Sequence, residues 1–106
     1  MKKVEAVIQL SKLNEVQDAL EDIGIDGMTA YEVKGFGRQN RHQETYRGKE
    51  HTVNFLPMIK IDFVVADEKV EAAVKVIIQA AKTGSGGAGK VLVSDVTEAA
   101  YALPSP

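Results

Sequence analysis

The chain has 106 residues, a formal net charge of -2, 44% hydrophobic and 26% charged residues and no cysteine, which is typical of a single globular domain and argues against disorder. This composition excludes a disulfide framework and a thiol nucleophile, and the slightly acidic balance argues against a general nucleic-acid binder. No apolar run is long enough to cross a bilayer and no signal-peptide core follows Lys3, so we expect a cytoplasmic protein without membrane insertion.

The first part of the chain predicts a strand, a helix and a second strand. Apolar residues alternate from Val4 to Leu10 and predict the first strand. Ser11 is a candidate N-cap for a helix that ends before Gly24. The second strand is predicted from Met28 to Gly35. The apolar face of the helix is formed by Leu13, Val16, Leu20 and Ile23.

A long polar loop is predicted between Gly37 and Val53. It overlaps residues 34–50, which hold five basic and two acidic side chains, so this segment is about +3 and the rest of the chain about -5. Loops of this length inside a compact domain are usually functional or mobile. The concentration of positive charge predicts a surface that meets an anion or an acidic partner.

The second half repeats the order of elements. A strand is predicted from Met58 to Val65, followed by a helix for which Asp67 is a candidate N-cap. A glycine-rich loop then leads to a fourth strand, Val91 to Val96. The tail from residue 99 has no strong pattern. The second helix has one apolar stripe, formed by Val70, Val74, Ile77, Ile78 and Ala81.

The predicted order, β-α-β-β-α-β, indicates the α+β ferredoxin-like fold, in which a four-stranded antiparallel sheet carries two helices on one face. One helix layer leaves the other face of the sheet bare. We expect this open face to carry Val7, Tyr31, Phe63 and the neighbours of Val93. Association of several copies through the open face is the simplest way to cover it.

The glycine-rich loop at residues 84–90 fits only part of a P-loop pattern. Val91 stands where the magnesium-binding Ser or Thr is required, and the loop enters a strand rather than a helix. Its glycines and Lys90 could still form an anion-binding nest, or the loop could be a flexible connection. Arg38, after Gly35 and Gly37, could be a second anion contact or an exposed turn residue.

Three stretches of the sequence are similar to the PII signal-transduction family, in register over about residues 1 to 98. They are residues 24–39 (GIDGMTAYEVKGFGRQ), residues 46–57 (YRGKEHTVNFLP) and residues 83–90 (TGSGGAGK). The resemblance implies one PII-like domain over residues 1–106, with a T-loop at about 37–55, a B-loop at about 82–90 and a divergent tail at 99–106. It implies a homotrimer with adenine nucleotides in the clefts between neighbouring subunits.

The resemblance also implies roles for individual residues. Adenine and ribose would be surrounded by Gly27, Met28, Thr29 and Val64, and the phosphates by Gly35, Phe36, Gly37, Arg38, Gln39, Gly87, Ala88, Gly89 and Lys90. The T-loop would change shape with the bound nucleotide and control a transporter, an enzyme or a transcription regulator. Its partner-contacting residues would be Arg41, Tyr46, Arg47 and His51. The resemblance implies no catalytic residue, metal or cofactor beyond the regulatory ligands ADP, AMP and ATP.

Several positions depart from the family pattern. A modified tyrosine of the T-loop corresponds to His51, and a lysine that pairs with a carboxylate of 2-oxoglutarate corresponds to Met58. Positively charged residues that lie near the phosphates in the family are replaced in this chain by Ser85, Tyr101 and Leu103. A Lys-Pro pair of the family is replaced by Gln9-Leu10. Each charge-assisted phosphate contact is worth roughly 1.5–3 kcal/mol, so these losses predict a preference for ADP or AMP over ATP with 2-oxoglutarate.

The missing 2-oxoglutarate contact suggests a divergent, carboxysome-associated kind of PII-like protein, in which bicarbonate would bind beside Arg38, Gln39 and Lys90. The alternative is a nitrogen-regulatory PII protein that senses ATP, ADP and 2-oxoglutarate. A slow nucleotide-hydrolysing enzyme and a metal-linked adaptor are further alternatives, but His42 and His51 fit no standard metal spacing. We expect a regulator rather than an enzyme.

Overall fold

The computed structural model describes residues 1–36, 55–82 and 90–100. Predictions for residues 37–54, 83–89 and 101–106, which include most of the T-loop, the B-loop and the tail, lie outside this part of the chain. Within it, the element order confirms the predicted α+β ferredoxin-like arrangement. The elements are β1 (Lys2–Ile8), α1 (Leu13–Asp22), β2 (Thr29–Gly35), β3 (Leu56–Val65), α2 (Val70–Ala81) and β4 (Val91–Asp95).

The four strands form one antiparallel sheet in the order β2-β3-β1-β4. In the central rung, Ala6 of β1 pairs with Ile61 of β3 on one side and Val91 of β4 on the other. Strands β2 and β4 are therefore the two edges of the sheet. Because successive side chains of a strand point to opposite faces, this register assigns each residue of the sheet to one face.

The helix-covered face of the sheet forms the core. Ala6 and Ile61 are 2% and 0% exposed, and the residues two positions before and after each of them are also buried. The prediction that Phe63 lies on the open face is wrong. Phe63 pairs with Val4, is 5% exposed and lies in the core. The core residues of the sheet and helices are Val4, Ala6, Ile8, Val16, Leu20, Ile25, Ile59, Ile61, Phe63, Val65, Ala73, Ile77 and Ala81.

The open face of the sheet mixes apolar and charged side chains. It carries Val7 and Tyr31, as predicted, and the two neighbours of Val93, which are Leu92 and Ser94. The charged residues Lys3, Glu5, Lys60 and Asp62 also lie on this face. Met58 shares the face and is 7% exposed without belonging to the core cluster.

Both predicted N-caps are wrong, because each helix is entered through a 3-10 turn. Ser11 lies inside the turn Leu10–Lys12, and Asp67 lies inside the turn Asp67–Lys69, and neither helix has a side-chain cap hydrogen bond. Asp67 instead accepts a hydrogen bond from the N-terminal ammonium group at 2.6 Å. This ammonium group holds the pKa of Asp67 below its ordinary value.

Some element boundaries and one helix face also differ from the prediction. β1 ends at Ile8, so Leu10 is 58% exposed, and β3 begins two residues before Met58. Ile78, predicted on the buried stripe of α2, is 51% exposed, whereas Ala73 is fully buried. A small alanine fits where α2 packs closely, and this packing rotates the buried stripe away from Ile78.

Candidate functional site

An open cleft with a volume of about 590 Å³ lies where β2 begins and β3 ends. One wall is the connection between α1 and β2, and the other is the last part of β3 with the turn that follows. The cleft brings together four residues that the resemblance assigns to adenine and ribose, namely Gly27, Met28, Thr29 and Val64. The remaining lining residues are Gly24, Ile25, Asp26, Asp62, Phe63, Val65, Ala66, Lys69 and Ala99.

The first wall is fixed by the way α1 ends. Gly24 has a φ of 90°, a left-handed conformation that favours glycine, and its N–H donates to the Glu21 carbonyl at 3.0 Å. The N–H of Ile25 donates to the Leu20 carbonyl at 3.0 Å. These two bonds are the Schellman pattern of a helix C-terminus. Ile25 is buried beside Leu20 and so anchors the residues that follow to the core.

The second wall presents both polar and apolar groups. Val64 is 45% exposed, and the Asp62 carboxylate accepts a hydrogen bond from the Tyr31 hydroxyl at 3.4 Å. Lys69 connects this wall to the first, since its Nζ donates to the Ile23 carbonyl at 2.9 Å. Neither Lys69 nor Asp62 was singled out as a cleft residue from the sequence, because only the tertiary fold places them beside Gly27.

The other described residues with predicted phosphate roles lie elsewhere. Gly35 ends β2 and Phe36 follows it, packing edge-to-face against Phe55 with ring centroids 5.0 Å apart. At about 3.3 Å per residue, Gly35 is about 20 Å from Thr29 along β2. Lys90 precedes β4, toward the end of the sheet where β1 finishes. The described residues of the predicted phosphate half therefore lie at the opposite end of the sheet from the cleft.

The remaining predicted site residues lie outside the described ranges. For the phosphate half these are Gly37, Arg38, Gln39, Gly87, Ala88 and Gly89. The T-loop contacts Arg41, Tyr46, Arg47 and His51 lie outside the described ranges as well, so their roles stay predictions.

The open face next to the cleft carries a small network of charged groups. Lys60 Nζ lies 3.3 Å from the Glu5 carboxylate, and Lys3 Nζ lies 3.6 Å from the same group. The hydrogen bond from Lys60, helped by the charge of Lys3, holds the pKa of Glu5 below its ordinary value. Lys60 also lies 5.9 Å from the centre of the Tyr31 ring, and Glu5 raises the pKa of Lys60.

Residues 1–36, 55–82 and 90–100 contain no group of three or more His, Cys, Asp or Glu side chains that could hold a metal ion. Within the same ranges, neither helix has the length and apolar character that a membrane span requires.

Comparison with known proteins identifies the family. The profile of the family described as "Nitrogen regulatory protein P-II" matches residues 1–102. The chain is 52% identical over 98 residues to the nitrogen regulatory protein P-II of Rhizobium meliloti, covering 92% of this chain and 88% of the relative. It is 53% identical over 96 residues to the nitrogen regulatory protein P-II 1 of Escherichia coli, covering 91% of this chain and 86% of the relative.

A third relative, the nitrogen regulatory protein P-II of Klebsiella oxytoca, is 53% identical over 96 residues, with 91% of this chain and 86% of the relative covered. These names describe regulatory proteins, in agreement with the expected class. They favour the nitrogen-regulatory alternative over the bicarbonate-responsive interpretation, which none of them supports. The chain belongs to the nitrogen regulatory protein P-II family of signal-transduction proteins.

Proposed function

We propose that this chain is a cytoplasmic, trimeric regulator of the nitrogen-regulatory kind, which binds an adenine nucleotide between subunits and controls a partner protein through residues 37–55. The observation that carries the proposal is the cleft of about 590 Å³ lined together by Gly27, Met28, Thr29 and Val64. These are the residues assigned to adenine and ribose by the family resemblance, and they come from two separate parts of the chain.

The chemistry of the cleft suits a nucleoside. A purine ring needs an apolar surface to lie against and a few polar groups at its edges. Met28 and Val64 offer the apolar surface, and the backbone around Gly27 can approach a ligand closely because a Cβ at this position would meet no atom within 4 Å. Asp62 lies in the second wall and can accept a hydrogen bond from a hydroxyl or an amino group.

The separation of the two predicted halves favours a site shared between copies. The cleft lies where β1 begins, whereas Gly35 and Lys90 lie toward the end where β1 finishes. Two different surfaces of the chain must therefore meet, which is a head-to-tail contact, and such contacts close into rings when the rotation allows. A ring of three would also cover the open face of the sheet.

Position 58 argues for a weakened response to 2-oxoglutarate within this nitrogen-regulatory class. Met58 is 7% exposed, and its Sδ lies 3.6 Å from where a Cβ at Gly35 would stand. A buried thioether beside Gly35 cannot pair with a carboxylate. We therefore expect little effect of 2-oxoglutarate. The missing cations at Ser85, Tyr101 and Leu103 lead us to expect that ADP or AMP is preferred over ATP. No contact among the described residues favours bicarbonate.

Calorimetric titration with ADP tests the proposal, using Gly27→Leu as the blocking variant. Because a side chain at Gly27 meets open space, the leucine should fill the cleft without disturbing the fold. Ala72→Leu, which adds the same side chain at an exposed position of α2, is the matched control. We expect ADP binding by the unmodified chain and the control, and none by Gly27→Leu. Equal binding by all three chains would place the nucleotide elsewhere.

Titration with ATP, with and without 2-oxoglutarate, tests the ligand preference. We expect ADP to bind more tightly than ATP, and 2-oxoglutarate to leave the ATP affinity unchanged. Met58→Lys supplies the missing cation and should introduce a dependence on 2-oxoglutarate. ATP binding that is tightest with 2-oxoglutarate in the unmodified chain would contradict the preference but not the nucleotide site.

A further inference from the structure

Lys69 is the one cation that joins the two walls of the cleft within the described ranges. It lies at the end of the 3-10 turn Asp67–Lys69, which follows β3, and its Nζ donates to the Ile23 carbonyl at 2.9 Å. Ile23 is the C-cap residue of α1, directly after Asp22. Lys69 lines the cleft and therefore connects the segment after β3 with the segment before β2.

The contact satisfies a group that the helix end leaves without a partner. The Schellman bonds from Gly24 and Ile25 use the carbonyls of Glu21 and Leu20 and do not use that of Ile23. A lysine near the last carbonyls of a helix is favourable both as a donor and as a positive charge. This hydrogen bond thus holds the Lys69 ammonium in a defined position.

Gly24 leaves room for the Lys69 ammonium in this position. A Cβ at Gly24 would stand 2.6 Å from Lys69 Nζ, so a side chain there would displace the ammonium from the Ile23 carbonyl. The φ of 90° at Gly24 already favours glycine. Gly24 is therefore required for the contact between the Lys69 ammonium and the Ile23 carbonyl.

We propose that Lys69 is a positioning residue for the nucleotide site. It holds the Gly24–Thr29 wall against the end of β3, so that the part of the cleft that receives the base is formed before the ligand binds. This inference rests on the proposed function and adds the residue that arranges its cleft. A pre-formed cleft saves the cost of ordering its wall when the ligand binds. Loss of Lys69 should therefore lower the affinity for every nucleotide whose base binds in this cleft, whatever its number of phosphates.

The experiment measures ADP and AMP affinities by calorimetry for Lys69→Met, Lys69→Arg, Lys75→Met and Ile77→Val. Lys75→Met removes an exposed lysine of α2, and Ile77→Val destabilises the core away from the cleft. We expect Lys69→Met to lower the affinities for ADP and AMP by the same factor, about tenfold. Lys69→Arg should recover most of the loss, and the two controls should bind as the unmodified chain does.

Hydrogen exchange without nucleotide tests the same inference independently of binding. Lys69→Met should accelerate exchange of the Gly24 and Ile25 amides, while Ile77→Val should not do so selectively. Unchanged exchange at these amides, or unchanged ADP affinity in Lys69→Met, would overturn the positioning role while leaving the proposed function intact. If the unmodified chain bound no adenine nucleotide, the proposed function and the role of Lys69 in it would both be overturned.

Discussion

The two faces of the sheet differ in what covers them. The helix-covered face is apolar throughout its centre, with Val4, Ala6 and Ile61 each at most 2% exposed. The open face carries the ion pair of Glu5 and Lys60 between apolar residues such as Val7 and Leu92. The first face is complete within one chain, whereas the second has the mixed character of a surface that meets another protein surface.

The covered face is completed by one chain, whereas the proposed association of copies depends on the open face. Folding depends on the covered face, which each chain completes by itself. The proposed nucleotide site depends on the open face and the ends of its strands, where the two halves of the site lie about 20 Å apart along β2.

Leu92→Asp should have the largest effect, because it places a charge on the open face. Leu92 is 54% exposed in the single chain and pairs with Glu5, so a carboxylate there adds repulsion and a desolvation cost to any contact between copies. We expect sedimentation velocity to show a trimer for the unmodified chain and a monomer for the variant.

Ile78→Asp is the matched control for Leu92→Asp, since Ile78 is 51% exposed but lies on α2, on the other side of the sheet. It should remain trimeric. Dissociation by both variants to the same extent would show that the open face has no special role in association.

Ile61→Ala should give the largest loss on the covered face. Ile61 is 0% exposed at the centre of β3, and truncation of such a residue leaves a cavity that costs about 2–5 kcal/mol. Urea unfolding measures this loss, and Ile61→Val should cost only about 0.5–1.5 kcal/mol. Equal losses for the two variants would contradict the close packing inferred for this face.

Gly24→Ala should reduce stability by about 1–2 kcal/mol, because its φ of 90° strains any side chain. Gly27→Ala is the control, since its Cβ would meet open space and its φ is not in the left-handed region. Thermal unfolding should show a clear loss for the first variant and little change for the second. If Gly24→Ala left the thermal stability unchanged, α1 would not end in the left-handed conformation described for Gly24.

The smallest effect concerns the Glu5 and Lys60 pair on the open face. Because the folded-state pKa of Glu5 is lowered, its contribution to stability is present above the ordinary carboxyl pKa and is lost as the pH falls through the folded value. We expect Glu5→Gln to reduce the fall in melting temperature between about pH 5 and pH 3. Lys60→Met should remove the same part of the pH dependence, and an unchanged profile in both would contradict the pairing.

The sequence was sufficient to predict every α-helix and strand of the described ranges. Val16 and Leu20 are four residues apart, as are Ile77 and Ala81, and apolar residues alternate along the strands. Phe63 was misassigned to the open face, although it shares the parity of Ile61 and so lies opposite to the face of Lys60. The sequence predicted Ser11 and Asp67 as caps because local patterns cannot show a 3-10 turn or the nearby N-terminus.

The candidate site was predictable only in part. The resemblance assigned Gly27, Met28, Thr29 and Val64, and the fold brings these four into one cleft. Lys69 was not predictable, since its partner Ile23 is 46 residues away in the sequence and only the packing of α2 beside α1 places them together. The local signal at Gly24 indicated the helix end but not what lies over it.

ADP titration of mixed trimers tests the central claim, that one site is built from the cleft of one copy and the Lys90 end of another. Gly27→Leu and Lys90→Glu chains are unfolded together in equal amounts and refolded. Neither variant alone should bind ADP. Each trimer that contains both chains has one site that joins two intact halves, so about one site in four of the whole sample should bind with unmodified affinity. Absence of ADP binding in the mixture, with trimers formed, would contradict a site shared between copies.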